Sequence, residues 1–66
     1  MKVIIDGLAE EVEGGMSLAE LIEARREASA ELIVELNHRF VYHRDLASTF
    51  LKEGDQVEFI HPAFGG

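Results

Sequence analysis

Three short stretches of the chain alternate between apolar and polar residues or are rich in β-branched residues, which is typical of β-strands. They are residues 1–5, 32–36 and 56–60. The middle stretch, Leu-Ile-Val-Glu-Leu, is the strongest, and its period of two predicts that Ile33 and Glu35 face away from its other residues. These three stretches are therefore expected to form the centre of a sheet.

Two further strands are predicted to return from tight turns. Asp6-Gly7 favours a type I′ hairpin, because both central positions of that turn need a positive φ, and residues 8–13 follow it as a more polar strand. Asn37-His38 predicts a second turn, with residues 40–42 as a short returning strand. The chain is therefore expected to carry four or five strands.

A capped helix is predicted before the strongest strand. Ser17-Leu18-Ala19-Glu20 matches a capping box, in which Ser17 and Glu20 each accept a hydrogen bond from the other's backbone N–H. The apolar residues that share one helical stripe are Leu18, Leu21, Ile22 and, more loosely, Ala28. This pattern predicts a helix over residues 17–28.

The order of these elements predicts an α+β domain with one mixed, four- to five-stranded sheet and one main helix across one face. With 66 residues the chain has room for one domain only. We expect residues 1–60 to form this domain and residues 61–66 to form a flexible C-terminal tail.

Charge and composition exclude several classes of function. The formal charge is −7, from 13 acidic residues against six lysines and arginines, which disfavours nucleic-acid binding and fits either a cationic partner or plain solubility. The chain has no cysteine, so it has neither a disulfide nor a thiol nucleophile. No apolar run approaches the ~20 residues of a membrane span, so we expect a cytoplasmic protein without membrane contact.

The side chains that could carry chemistry of their own are few. His38, His43 and His61 lack the spacing of metal ligands, so no metal site is predicted. No nucleophile, base and orienting acid fall into a recognisable set, so the protein is not expected to be an enzyme or to bind a cofactor. The aromatic residues Phe40, Tyr42 and Phe50 are expected to pack in or around the core, and the chain on its own is expected to be a monomer.

The sequence closes with His-Pro-Ala-Phe-Gly-Gly, directly after the last predicted strand. Pro62 favours an extended backbone before it and removes one backbone donor. Gly65 and Gly66 make a thread without side chains that fits a narrow site in another protein, although a frayed terminus has the same composition. If residues 57 and 59 face the core, Ile60 faces outward.

The same alternation places Ile4 and Ile33 outward as well. We therefore expect Ile4, Ile33 and Ile60 to form an exposed apolar patch that docks partner proteins. A few exposed aliphatic side chains are ordinary on protein surfaces, and this remains the alternative.

The whole pattern resembles the ubiquitin-like β-grasp family and, within it, the ThiS-type sulfur carriers of thiamin biosynthesis. The features that carry the resemblance are Asp6-Gly7, Ser17-Leu18-Ala19-Glu20-Leu21, Val34-Glu35-Leu36-Asn37, the Leu-Lys-Glu-Gly-Asp-Gln-Val-Glu run over 51–58, and Gly65-Gly66. The resemblance implies that Gly66 is adenylated by a ThiF-like enzyme with ATP. It further implies that sulfur from a persulfide donor converts Gly66 to a thiocarboxylate, which supplies a ThiG-like thiazole synthase.

Two features depart from this pattern. Phe64 is bulky where such carriers often have a small residue, and the end that begins at Pro62 is also similar to the small subunit of molybdopterin synthase (the MoaD type). The alternatives are therefore a MoaD-type subunit, or a ubiquitin-like modifier or interaction module. For a carrier, Pro62, Phe64 and Gly65 are the residues expected to thread into the partner. In the modifier or interaction module, the tail either does nothing or forms an isopeptide bond to lysine.

Overall fold

The computed structural model describes residues 1–62 and contains one five-stranded sheet with one main helix. The elements in chain order are β1 (Lys2–Ile5), β2 (Leu8–Glu11), α1 (Leu18–Ala24), β3 (Ile33–Leu36), β4 (Arg39–Val41), a 3₁₀ segment (His43–Ser48) and β5 (Gln56–Ile60). Strand order is β2-β1-β5-β3-β4, with β1 and β5 parallel and the remaining neighbours antiparallel. This confirms the predicted α+β class and the mixed sheet.

The last strand of the chain lies in the middle of the sheet. β5 inserts between β1 and β3, so that Val57 lies beside Ile5 and Phe59 lies beside Val34. All four side chains are buried. Whatever follows Ile60 therefore leaves from the centre of the sheet rather than from an edge.

Both predicted turns are confirmed, and one of them also supports β5. Asp6 and Gly7 have φ values of 49° and 86°, and Asn37 and His38 have 52° and 67°. Positive φ at both central positions is what a type I′ hairpin requires. The Asp6 carboxylate also accepts a hydrogen bond from the Phe59 N–H at 2.9 Å, which continues the contact between the first hairpin and β5 beyond the end of β1.

The helix begins as predicted but ends earlier. The Glu20 N–H donates to Ser17 Oγ at 3.1 Å and the Ser17 N–H donates to Glu20 Oε1 at 2.9 Å, so both halves of the capping box form. The helix itself spans Leu18–Ala24, and the predicted extension to residue 28 is wrong. Ala28 is exposed and does not continue the apolar stripe.

A Schellman motif ends the helix. Arg26 adopts the left-handed conformation (φ 56°), and its N–H donates to the Glu23 carbonyl at 3.2 Å. The Glu27 N–H donates to the Ile22 carbonyl at 3.0 Å, which is the longer bond of this motif. The left-handed position of this motif is usually a glycine. Because an arginine occupies it here, the sequence pattern did not indicate the end of the helix and the predicted helix was too long.

The core lies between the helix and one face of the sheet. Its buried apolar residues are Val3, Ile5, Leu18, Leu21, Ile22, Leu32, Val34, Leu51, Val57 and Phe59. The predicted packing of Phe40, Tyr42 and Phe50 is wrong, since these side chains are 53%, 54% and 57% exposed. Within residues 1–62, no helix has the length and apolar character needed to cross a membrane.

Candidate functional site

The C-terminal segment starts at His61, directly after the central strand. Its Nε2 lies 2.6 Å from Glu27 Oε2, beyond the end of α1, and Pro62 follows as the last described residue. The remaining predicted site residues, Phe64, Gly65 and Gly66, lie outside the described part of the chain. Their roles therefore stay predictions.

Beside this starting point lies an exposed apolar cluster on the sheet face opposite the helix. Ile33 and Ile60 are direct cross-strand partners, and Ile60 is 37% exposed. Phe40 pairs with Glu35 on the same face, and Tyr42 alternates onto that face two residues later. The rings of Phe40 and Tyr42 meet edge to face with centroids 4.9 Å apart. We call Ile33, Phe40, Tyr42 and Ile60 the open-face patch.

Ile4 lies on the same face but apart from this patch. Its cross-strand neighbours are Ala9 and Gln56. Ile60 lies four residues beyond Gln56, which along a strand is about 13 Å. The prediction that Ile4, Ile33 and Ile60 form one patch is therefore only partly correct: Ile33 and Ile60 are neighbours, and Ile4 lies apart from them.

Sequence reasoning missed the aromatic half of the open-face patch. Phe40 and Tyr42 are spaced by two in a short edge strand, and that spacing puts both on one face. The predicted hairpin already implied that β4 pairs with β3. The missing information was the register, which sets Phe40 opposite Glu35 and therefore on the same face as Ile33.

Two carboxylates border the open-face patch. Glu35 and Glu58 are cross-strand partners on the open face, and His38 Nδ1 lies 3.7 Å from Glu58 Oε1. Like charges directly opposite each other are unfavourable in a sheet and favour a cationic neighbour. A partner that covers the patch is therefore expected to bring lysine or arginine to this border.

The histidines do not converge on one centre. His43 Nε2 lies 2.6 Å from the Leu32 carbonyl oxygen, and His61 contacts Glu27. His38 alone joins a possible donor set, with Glu35 and Glu58, whose ligand atoms lie within 4.8 Å of one another. Solvent-exposed acidic groups often cluster in this way without an ion, so this set carries no metal assignment.

A mixed five-stranded sheet with one main helix across it, in which the last strand lies at the centre, defines an α+β protein of the β-grasp class. The model of the ThiS family matches residues 3–66. This chain belongs to the ThiS family.

Two solved structures are similar over the whole chain. The crystal structure of the thiamine biosynthesis protein ThiS from Geobacter metallireducens is 32% identical, with a TM-score of 0.86 and full coverage of both chains. A solution NMR structure of a thiamine biosynthesis protein from the same organism is 33% identical, with a TM-score of 0.81, covering 100% of this chain and 88% of that one. Among curated protein sequences, none matches significantly.

Proposed function

We propose that this protein is a sulfur carrier for thiamin biosynthesis and that the carboxyl group of Gly66 is its reactive group. The observation that carries the proposal is the ThiS family match, which runs through Gly65 and Gly66. The similar structures, both of thiamine biosynthesis proteins, support the thiamin pathway over the molybdopterin alternative.

The carrier chemistry requires outside activation. A main-chain carboxylate is an anion at neutral pH and resists nucleophilic attack. A ThiF-like enzyme joins the carboxylate of Gly66 to the α-phosphate of ATP, and pyrophosphate leaves. The terminal sulfur of a persulfide then attacks the acyl carbon and displaces AMP, and a second thiol cleaves the acyl disulfide to leave the thiocarboxylate. Because the chain has no cysteine, partner proteins or small molecules supply every thiol in this series of reactions.

The open-face patch is the proposed docking surface for these partners. Ile60 belongs both to this patch and to the strand from which the C-terminal segment departs, so docking there also places that segment. From Pro62, four residues reach at most about 14 Å. The reacting centre of a docked enzyme must therefore lie within that distance of Pro62.

Replacing Ile60 with serine is expected to weaken binding to the activating enzyme about two- to fivefold. Burying a fully exposed isoleucine side chain stabilises an interface by about 1.5–3 kcal/mol. Because Ile60 is 37% exposed, docking buries about a third of that surface, which gives about 0.5–1 kcal/mol, and 1.4 kcal/mol corresponds to a tenfold change in affinity. Titration calorimetry with the purified enzyme measures the effect. Leu8→Ser is the matched control, since Leu8 is 69% exposed on β2 and outside the patch. Equal losses in the two variants would contradict docking through the patch.

Intact mass spectrometry tests the proposed function. After incubation with the activating enzyme, ATP and a persulfide donor, the protein is expected to gain the mass difference between one sulfur and one oxygen atom. A reaction without ATP is the control and should leave the mass unchanged. A ubiquitin-like modifier would appear instead as conjugates to lysine, and either that result or an unchanged mass with an active enzyme would reject the carrier proposal.

A further inference from the structure

A single side-chain contact ties the start of the C-terminal segment to the far end of the helix. His61 Nε2 and Glu27 Oε2 are 2.6 Å apart although the residues are separated by 34 positions. The side chain of Glu27 is 24% exposed and that of His61 is 51% exposed. A carboxylate only accepts, so the imidazole donates its Nε2 proton, which both the charged ring and one neutral tautomer carry.

The backbone holds Glu27 in place for this contact. Glu27 is the residue whose N–H closes the Schellman motif on Ile22, and Arg26 before it is held in the left-handed conformation. The position of its Cα is therefore set by the end of the helix.

The strand pattern brings His61 to the same place. Phe59 faces the core and Ile60 faces the open side, so the alternation of β5 directs His61 toward the helix side, where Glu27 lies. Pro62 disfavours helical backbone at His61 and keeps it extended. Strand, proline and carboxylate thus act together on one residue.

We propose that Glu27 is a positioning residue which, through His61, sets the direction in which the C-terminal segment leaves the sheet. Its consequence for adenylation depends on the proposed function. A segment that already points in one direction loses less conformational freedom when it enters the enzyme, and such preorganisation strengthens binding. The contact acts on productive binding and touches no reacting atom, so it affects KM rather than kcat.

Steady-state adenylation kinetics of four variants test this role. Glu27→Ala and His61→Ala are each expected to raise KM about two- to fivefold, the range of a partly exposed hydrogen bond or ion pair, and to leave kcat unchanged. The double variant should show the same KM as either single variant, because one contact is lost in all three. Glu27→Gln keeps an acceptor oxygen and should fall close to wild type.

Glu23→Ala is the matched control. It removes the same charge from an exposed position on α1 and should leave KM unchanged. Equal KM changes in Glu23→Ala and Glu27→Ala, or additive effects in the double variant, would overturn the positioning role and leave only a general charge effect.

A second measurement separates this proposal from the proposed function. In the free protein, the backbone ¹⁵N order parameter of His61 is expected to fall in Glu27→Ala and to stay at the wild-type value in Glu23→Ala. An unchanged order parameter in Glu27→Ala would reject the proposal that Glu27 positions His61, and this test does not involve any enzyme. Failure of the wild type to be adenylated, with the order parameter falling as expected, would reject the carrier function alone.

Discussion

Replacing Gly65 with valine is expected to leave the domain folded and to slow adenylation of Gly66 by about a hundredfold or more. The acyl carbon of Gly66 must come within bonding distance of the ATP phosphate, and a misplacement of about 1 Å can cost two orders of magnitude in rate. Valine adds a branched side chain next to that carbon and restricts the backbone that glycine leaves free. The last strand ends at Ile60 and the core residues found within residues 1–62 all precede it, so we expect the domain to fold with either residue at position 65.

ATP–pyrophosphate exchange catalysed by the activating enzyme measures this effect directly. Ala63→Val is the matched control, since it places the same valine side chain two residues further from the reacting carbon. It should retain most of the exchange activity. Urea unfolding of both variants should give the wild-type midpoint. Exchange at the wild-type rate by Gly65→Val would remove the steric argument for the two terminal glycines.

The local elements of this fold were predictable because their causes are local. Positive φ at Asp6 and Gly7 follows from the turn chemistry of that pair, and the capping box follows from Ser17 and Glu20 alone. Period-two alternation likewise assigned the outward face of β3 and β5 correctly. Each of these depends on residues at most four positions apart in the chain.

The remaining features depend on which distant segments meet. The parallel pairing of β1 with β5 places the last strand at the centre of the sheet, and no pattern within either strand encodes it. The helix covers only the opposite face of the sheet, which leaves Phe40 on the face of Ile33 exposed rather than buried. The contact between Glu27 and His61 needs both the early end of the helix and the central position of β5.

The candidate site likewise has a part that could be predicted from the sequence and a part that depends on the strand order. The resemblance to the ThiS family assigned roles to the C-terminal residues from their motif, and those roles stay predictions. The exposed apolar patch was predicted only in part, because Ile4 pairs with Gln56 whereas Ile33 pairs with Ile60. The sequence alone predicted correctly that these isoleucines lie on the exposed face of the sheet. Which residues are neighbours on that face depends on the order of the strands.

Replacing Phe59 with alanine is expected to remove most of the stability of the domain. Phe59 is buried on the central strand opposite Val34, and truncation of a buried phenylalanine costs about 3–5 kcal/mol in the free energy of unfolding. A domain of this size has a total of about 3–10 kcal/mol, estimated at 0.05–0.15 kcal/mol per residue. Urea denaturation followed by circular dichroism measures the loss.

Phe40→Ala is the control for this prediction, because it makes the same truncation at a side chain that is 53% exposed. It removes one edge-to-face contact with Tyr42, worth about 0.5–1.5 kcal/mol, and should leave the fold intact. The two variants should therefore lose partner binding for different reasons: Phe59→Ala because the strand that carries the C-terminal segment unfolds, and Phe40→Ala because a folded protein lacks part of its open-face patch. Equal losses of stability would contradict the assignment of Phe59 to the core and of Phe40 to the surface.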